Sequence, residues 1–207
     1  MKTLAMLLPL LILLSFSNAK ADSNTEATNA LKSVIKEDFT VLSYATGDLN
    51  NDGLEDWVGI ILVQRLSDTF QRLYVLTRKP NKSLVFAEAS PVVGYTDCGG
   101  TCGSEISINE GGFIVVQFDR GGWGSANATT QFKYYKSKWR ALGRKTYRID
   151  MTTGDQSESD KNLLSGEYTS AITPEFSSGN SAGPIKRKSG IEKPVLLLLK
   201  DFDLGQF

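Results

Sequence analysis

The residues best suited to chemistry gather in one short run, Gly47-Asp48-Leu49-Asn50-Asn51-Asp52-Gly53-Leu54-Glu55-Asp56. Asp48, Asn50 and Asp52 offer side-chain oxygens at alternate positions, the D-x-[DN]-x-D-G spacing that holds a hard divalent cation. Gly53 permits the sharp turn that wraps the chain around such an ion. The carbonyl of Leu54 can add a further oxygen, and Asp56, at the ninth position, a closing carboxylate. An EF-hand would need a bidentate glutamate at the twelfth position, which here is Gly59, and a helix after the loop. Instead Trp57 opens an apolar run of strand character. The expectation is a calcium ion held in a strand-loop-strand hairpin; the alternative is a solvated Asx-rich turn without metal. Loops of this kind are more often structural than catalytic.

The run resembles the calcium loop of FG-GAP and VCBS-type repeats, in which G-D-x-N-x-D-G-x-x-D precedes an apolar strand. That resemblance covers about 20 residues and implies calcium bound by the side chains of Asp48, Asn50, Asp52 and Asp56. A looser one spans most of the chain. The order of calcium hairpin, Cys98-Gly99-Gly100, Gly121-Gly122-Trp123 and a basic aromatic hairpin is similar to exported bacterial proteins labelled FG-GAP-like, which bring no established activity. Propellers need several such repeats. Only one copy is present, because Asp155-Gln156-Ser157-Glu158-Ser159 lacks both the glycine and the alternating carboxylates. A full propeller is not expected.

Absences narrow the remaining chemistry. There is no histidine, which removes Ser-His-Asp and Cys-His nucleophile systems and nearly all catalytic zinc sites. The two cysteines, Cys98 and Cys102, are too few for a zinc cluster. In an oxidising compartment they read as a tight disulfide rather than a redox pair, since the spacing is not C-x-x-C and no helix start follows. Trp123, in the Gly121–Gly124 loop beside Arg120, reads as a tryptophan folded back over the core, with Trp123 and Arg120 as a ligand contact the alternative. Lys133, Lys136, Lys138, Arg140, Arg144, Lys145 and Arg148 interleave with Phe132, Tyr134, Tyr135, Trp139 and Tyr147. The pattern can grip an anionic or sugar-bearing ligand. It also suits a plain hairpin with aromatics inward and cations outward. Carboxylate pairs for glycoside hydrolysis are set by spacing in the fold, and nothing in the sequence selects one.

These residues need elements to position them. Met1-Lys2, the apolar run Leu4–Leu14 and Ala19-Lys20-Ala21 have the form of a cleaved signal peptide over residues 1–21. The run, about eleven residues, is shorter than the roughly 20 a membrane-spanning helix requires. No lipobox cysteine stands near the cleavage point. The remaining residues, 22–207, make one β-rich domain. Without Lys2 and Lys20 the 23 basic residues fall to 21 against 23 acidic, a balance that recruits no nucleic acid.

Glu26–Lys36 has helical spacing in Ala27, Ala30, Leu31, Val34 and Ile35. Strands are expected at Phe39–Ala45, Trp57–Gln64, Phe70–Arg78, Leu84–Ala89, Glu105–Asn109, Gly112–Asp119, Ala126–Lys136, Lys138–Ile149 and Tyr168–Ile172. Turns are expected at 80–83, 111–112 and 137–138, a long polar turn at 152–159, and a mobile loop near 174–194. Val195–Leu199 reads as a buried strand closing the chain.

The fold class is therefore mainly β: an antiparallel meander or open barrel/sandwich with one short N-terminal helix and a single calcium hairpin. The expected function is that of an exported, periplasmic or secreted, non-enzymatic calcium-stabilised binding module. Its partner would be an envelope or extracellular protein or glycan; the alternative is a histidine-free carboxylate hydrolase acting on glycans.

Overall fold

The computed structural model describes residues 23–65, 68–91, 94–95, 102–120, 126–174 and 184–202. The expected signal peptide, Cys98 and Trp123 lie outside these residues, and of Cys102 and Arg120 only the backbone is included.

A helix, α1, covers residues 23–32. It ends where Ser33 and Val34 tighten onto the Ala30 and Leu31 carbonyls at 3.2 and 2.9 Å, and the Ser33 hydroxyl also donates to the Ala30 carbonyl. The helix thus starts and stops about three residues ahead of its expected position. Val34, assigned to its apolar face, is exposed.

The strands that follow are β1 (Asp38–Gly47), β2 (Asp56–Arg65), β3 (Asp68–Arg78), β4 (Leu84–Ala89), β5 (Gly94–Tyr95) and β6 (Cys102–Ile108). Next come β7 (Ile114–Arg120), β8 (Ala126–Tyr135), β9 (Lys138–Ile149), β10 (Gln156–Asn162), β11 (Glu167–Thr173) and β12 (Lys186–Ile191). The first sheet runs β1-β2-β3-β4 with β5 on β3; the second is a seven-stranded meander from β6 to β12. All pairings are antiparallel, and neither sheet closes into a barrel among the described residues.

β2 explains the layering. Its apolar residues are continuous rather than alternating, because both faces are covered. Trp57, Ile61 and Val63 join Ala27, Leu31 and Ile35 from the helical side in one core. Val58 and Ile60 join Ile106, Ile114, Val116 and Phe132 of the second sheet in the other. Each such side chain, fully buried, contributes about 1.5–3 kcal/mol. The sheets also meet through a hydrogen bond from the Ile106 N–H to the Ser43 Oγ at 3.2 Å.

Three expectations need correction. The stretch expected as a mobile loop near 174–194 contains β12, paired with β11 from Glu167↔Ile191 to Ile172↔Lys186. The long turn expected at 152–159 is cut short at Gln156, where β10 begins. β10 and β12 escaped the sequence reading because none of their residues is buried, so they carry no apolar alternation; β11 was expected at Tyr168–Ile172 and spans Glu167–Thr173.

Val195–Leu199 is the third correction, for it is not a strand. Val195 donates to the Leu163 carbonyl, Ala141 donates to that of Leu197, and a 3-10 turn follows at Leu199–Asp201. That turn aims Leu199 and Phe202 into the core together, since residues three apart eclipse in a 3-10 turn. Leu196 is left 64% exposed. No helix among the described residues is long and apolar enough to cross a membrane.

Candidate metal centre

The loop from Asp48 to Glu55 joins β1 to β2, whose pairing has a bulge between Val41 and Ser43 and then runs regularly from Ser43↔Ile60 to Gly47↔Asp56. The last strand pair therefore fixes both ends of the loop. Within it Asn51 and Gly53 take positive φ, 66° and 81°, and the backbone curls so that its N–H groups point inward. Asp52 N–H donates to Asp48 Oδ1 at 3.1 Å and to Asn50 Oδ1 at 2.9 Å. Gly53 N–H donates to Asp48 Oδ2 at 2.9 Å, and Leu54 N–H to Asp52 Oδ1 at 2.9 Å. The Asn50 amide donates to Asp52 Oδ2 at 3.0 Å. Asp48, Asn50 and Asp52 are thus gathered on one turn.

Asp56 lies deeper than the spacing alone conveys. It is 0% exposed, with Oδ2 accepting from Leu49 N–H at 3.0 Å and Oδ1 from Arg78 N–H at 2.8 Å. Burial pushes its pKa up, the two backbone donors oppose that, and the charges of Asp52 and Asp48 push it further up. Asp48 and Asp52 therefore both oppose a negative charge on Asp56, a smaller effect than its burial.

Among the described residues no three His, Cys, Asp or Glu side chains form a group able to hold a metal. A cation here would need the Asn50 amide oxygen and the Leu54 carbonyl beside the carboxylates. The donor chemistry fits a hard ion: every candidate ligand atom is oxygen, and each carboxylate oxygen that accepts one N–H keeps a second lone pair.

The loop is also wedged between the sheets. Leu49 is buried in the core shared by both sheets. The Asp48 carbonyl lies against Gly112 of the β6–β7 turn, where a Cβ would come within 3.2 Å of it. Gly112 also has φ +68°, so the close approach and the turn both favour glycine.

Arg78, at the end of β3, is the residue sequence reasoning missed. Its Nε donates to the Glu55 carbonyl at 2.8 Å. Its Nη1 reaches Glu26 Oε2 of α1 at 2.9 Å and the Lys82 carbonyl at 2.5 Å. Glu26 Oε1 also accepts from Leu84 N–H at 3.0 Å. One guanidinium thus ties the helix, the β3–β4 turn and the end of the candidate loop together. No local spacing announces this, because its partners lie 23 and 52 residues away.

The basic aromatic hairpin does not sort as aromatics in and cations out. Phe132 and Trp139 are buried, but Tyr134 and Tyr135 are exposed, and Lys136 lies over the Tyr135 ring at 5.2 Å. Asp119, next to Arg120, accepts hydrogen bonds from Asn127 and Gln117.

No family model, curated protein or solved structure matched the chain.

Proposed function

We propose that the protein is an exported, calcium-stabilised, non-enzymatic binding module, and that Asp48, Asn50, Asp52, the Leu54 carbonyl and Asp56 hold the ion. The supporting observation is the position of the loop. An all-oxygen donor set, in which Asp48 and Asp52 oppose a negative charge on Asp56, sits at the seam of the two sheets, where a divalent cation would relieve that opposition and fix the seam. In this reading the ion is a structural fastener and the sheet surfaces face the partner. Export rests on the sequence of residues 1–21, and the Cys98–Cys102 disulfide belongs with it, since an oxidising compartment permits both.

Melting the purified protein in millimolar calcium and again in excess chelator tests the metal. The expected result is a higher midpoint with calcium, together with a one-site calorimetric titration that Asp48→Asn weakens strongly. Identical midpoints and a flat titration would remove the ion from the account.

A further inference from the structure

The register of the second sheet gathers five cations of its outer half, and none of the carboxylates of those strands, on one face. On β9–β12, alternate residues share a face. Arg148, Ser157, Ile172 and Lys186 form one cross-strand row; Thr146, Ser159, Ser170 and Lys188 form the next; and Arg144, Lys161, Tyr168 and Gly190 form the third. These rows hold Arg144, Arg148, Lys161, Lys186 and Lys188 and no carboxylate. The acidic residues of the same strands, Glu158, Asp160 and Glu167, all fall on the opposite face, where Lys145 pairs with Asp160 at 3.1 Å.

We propose that this basic face binds an acidic polysaccharide, a ligand class that deepens the binding-module reading and rests on it. Arg144 and Lys161 are cross-strand neighbours and Lys186 and Lys188 alternate along β12, so each pair suits one negative charge, while the whole set is spread too widely for a single small anion. Arg144 and Arg148 are about 13 Å apart along β9, and β12 lies three strand spacings, about 14 Å, away. An extended ligand with repeated negative charge matches that spread. Between the cations lie the hydroxyls of Thr146, Ser157, Ser159 and Ser170, which suit a hydroxylated chain.

Tyr168 supplies a flat surface. Its ring lies over Gly190, where a Cβ would come within 3.1 Å of it, and Lys188 stands 5.6 Å from the ring centre. An aromatic plane beside a cation suits a sugar ring that carries a carboxylate. The only apolar side chain in the three rows besides that ring is Ile172, which argues against a lipid surface. The balanced charge of the whole chain, 23 basic and 23 acidic residues, gives no long-range pull on any polyanion, so binding rests on this local patch and single-stranded DNA is the competitor to test. Lys161 is partly neutralised by Glu192 at 2.5 Å, and Arg144 is sheltered enough that burial lowers its pKa. Lys186 and Lys188, exposed on the edge strand, are the residues to test.

Affinity electrophoresis of the full calcium-treated protein through gels containing polygalacturonate, neutral dextran or single-stranded DNA separates the cases. Polygalacturonate should retard the protein and dextran should not. Retardation should fall with added salt, and Lys186→Glu with Lys188→Glu should weaken it by about tenfold. The opposite-face pair Lys145→Ala and Arg187→Ala should leave it unchanged. No retardation, equal retardation by dextran, stronger retardation by DNA, or equal loss in the opposite-face pair would each overturn the proposal. The chelator melt reads the calcium loop separately, so either idea can fail while the other stands.

Discussion

Asp56 and Arg78 form a two-residue junction whose parts answer to different neighbours. The Asp56 carboxylate closes β1–β2 against β3 by taking the Leu49 and Arg78 backbone donors, while the Arg78 side chain reaches α1 and Glu55. Removing that side chain leaves Glu26 without its cation and the Glu55 and Lys82 carbonyls each without a donor. Arg78→Ala should cost about 1–3 kcal/mol in urea unfolding, less than the loss of a fully buried pair because Glu26 is partly exposed. If the loop binds calcium, the same change should weaken the ion through the displaced Glu55 backbone, a coupling visible by calorimetry.

Glu88 makes a pH prediction at the same scale. Burial raises its pKa, opposed by the Trp139 backbone donor. Between its ordinary and its raised pKa the unfolded chain releases the proton first, so this residue's contribution to stability falls as pH rises through that window. Glu88→Gln, which keeps an acceptor for Trp139, should raise the melting midpoint at pH 7 and leave it unchanged well below pH 4. Equal effects at both pH values would mean that packing, not charge, governs the site.

At the scale of elements, α1 and β12 are opposite cases. A ten-residue helix is marginal alone; this one persists because Ala27 and Leu31 are fully buried beside Trp57. Leu31→Ala should cost about 2–5 kcal/mol, read as a lowered midpoint in urea unfolding. Among the described residues β12 has no covered face and pairs on one edge only. Its amides should exchange with deuterium far faster than those of β2, which is buried on both sides. Lys186, Arg187 and Lys188 on this strand also discourage pairing with another copy of the chain, since cations at an exposed edge oppose strand addition.

At the scale of the molecule, the two sheets share one core, and the candidate calcium loop and the β6–β7 turn meet beside it. With free calcium at ten times its dissociation constant, the ion would add roughly 1.4 kcal/mol. That amount should shift the melt measurably without being the sole support of the fold. Two further measurements follow from the sequence. If the proposed export holds, the secreted product should begin near Asp22 by N-terminal sequencing, and its thiols should resist alkylation until reduced. A retained leader would remove the export assignment, and immediate labelling would remove the disulfide.

Apolar patterning and turn chemistry made the strands from Phe39 to Ile149 legible except the two-residue β5, with β4 and β9 matched to the residue. Half-buried strands place apolar side chains at every second position, and β2, covered on both faces, reads as a continuous apolar run. The oxygen-rich loop was legible for a similar reason: ligand types and spacing are local properties of the chain. What lies beyond local reach was decided by tertiary structure. β10 and β12 are polar on both faces and are held chiefly by backbone pairing with their neighbours. Leu199 and Phe202 coil rather than extend because both must enter one core. Arg78 joins segments far apart in the sequence, and the gathering of cations on one face of β9–β12 exists only once strand register assigns each lysine and carboxylate to a face.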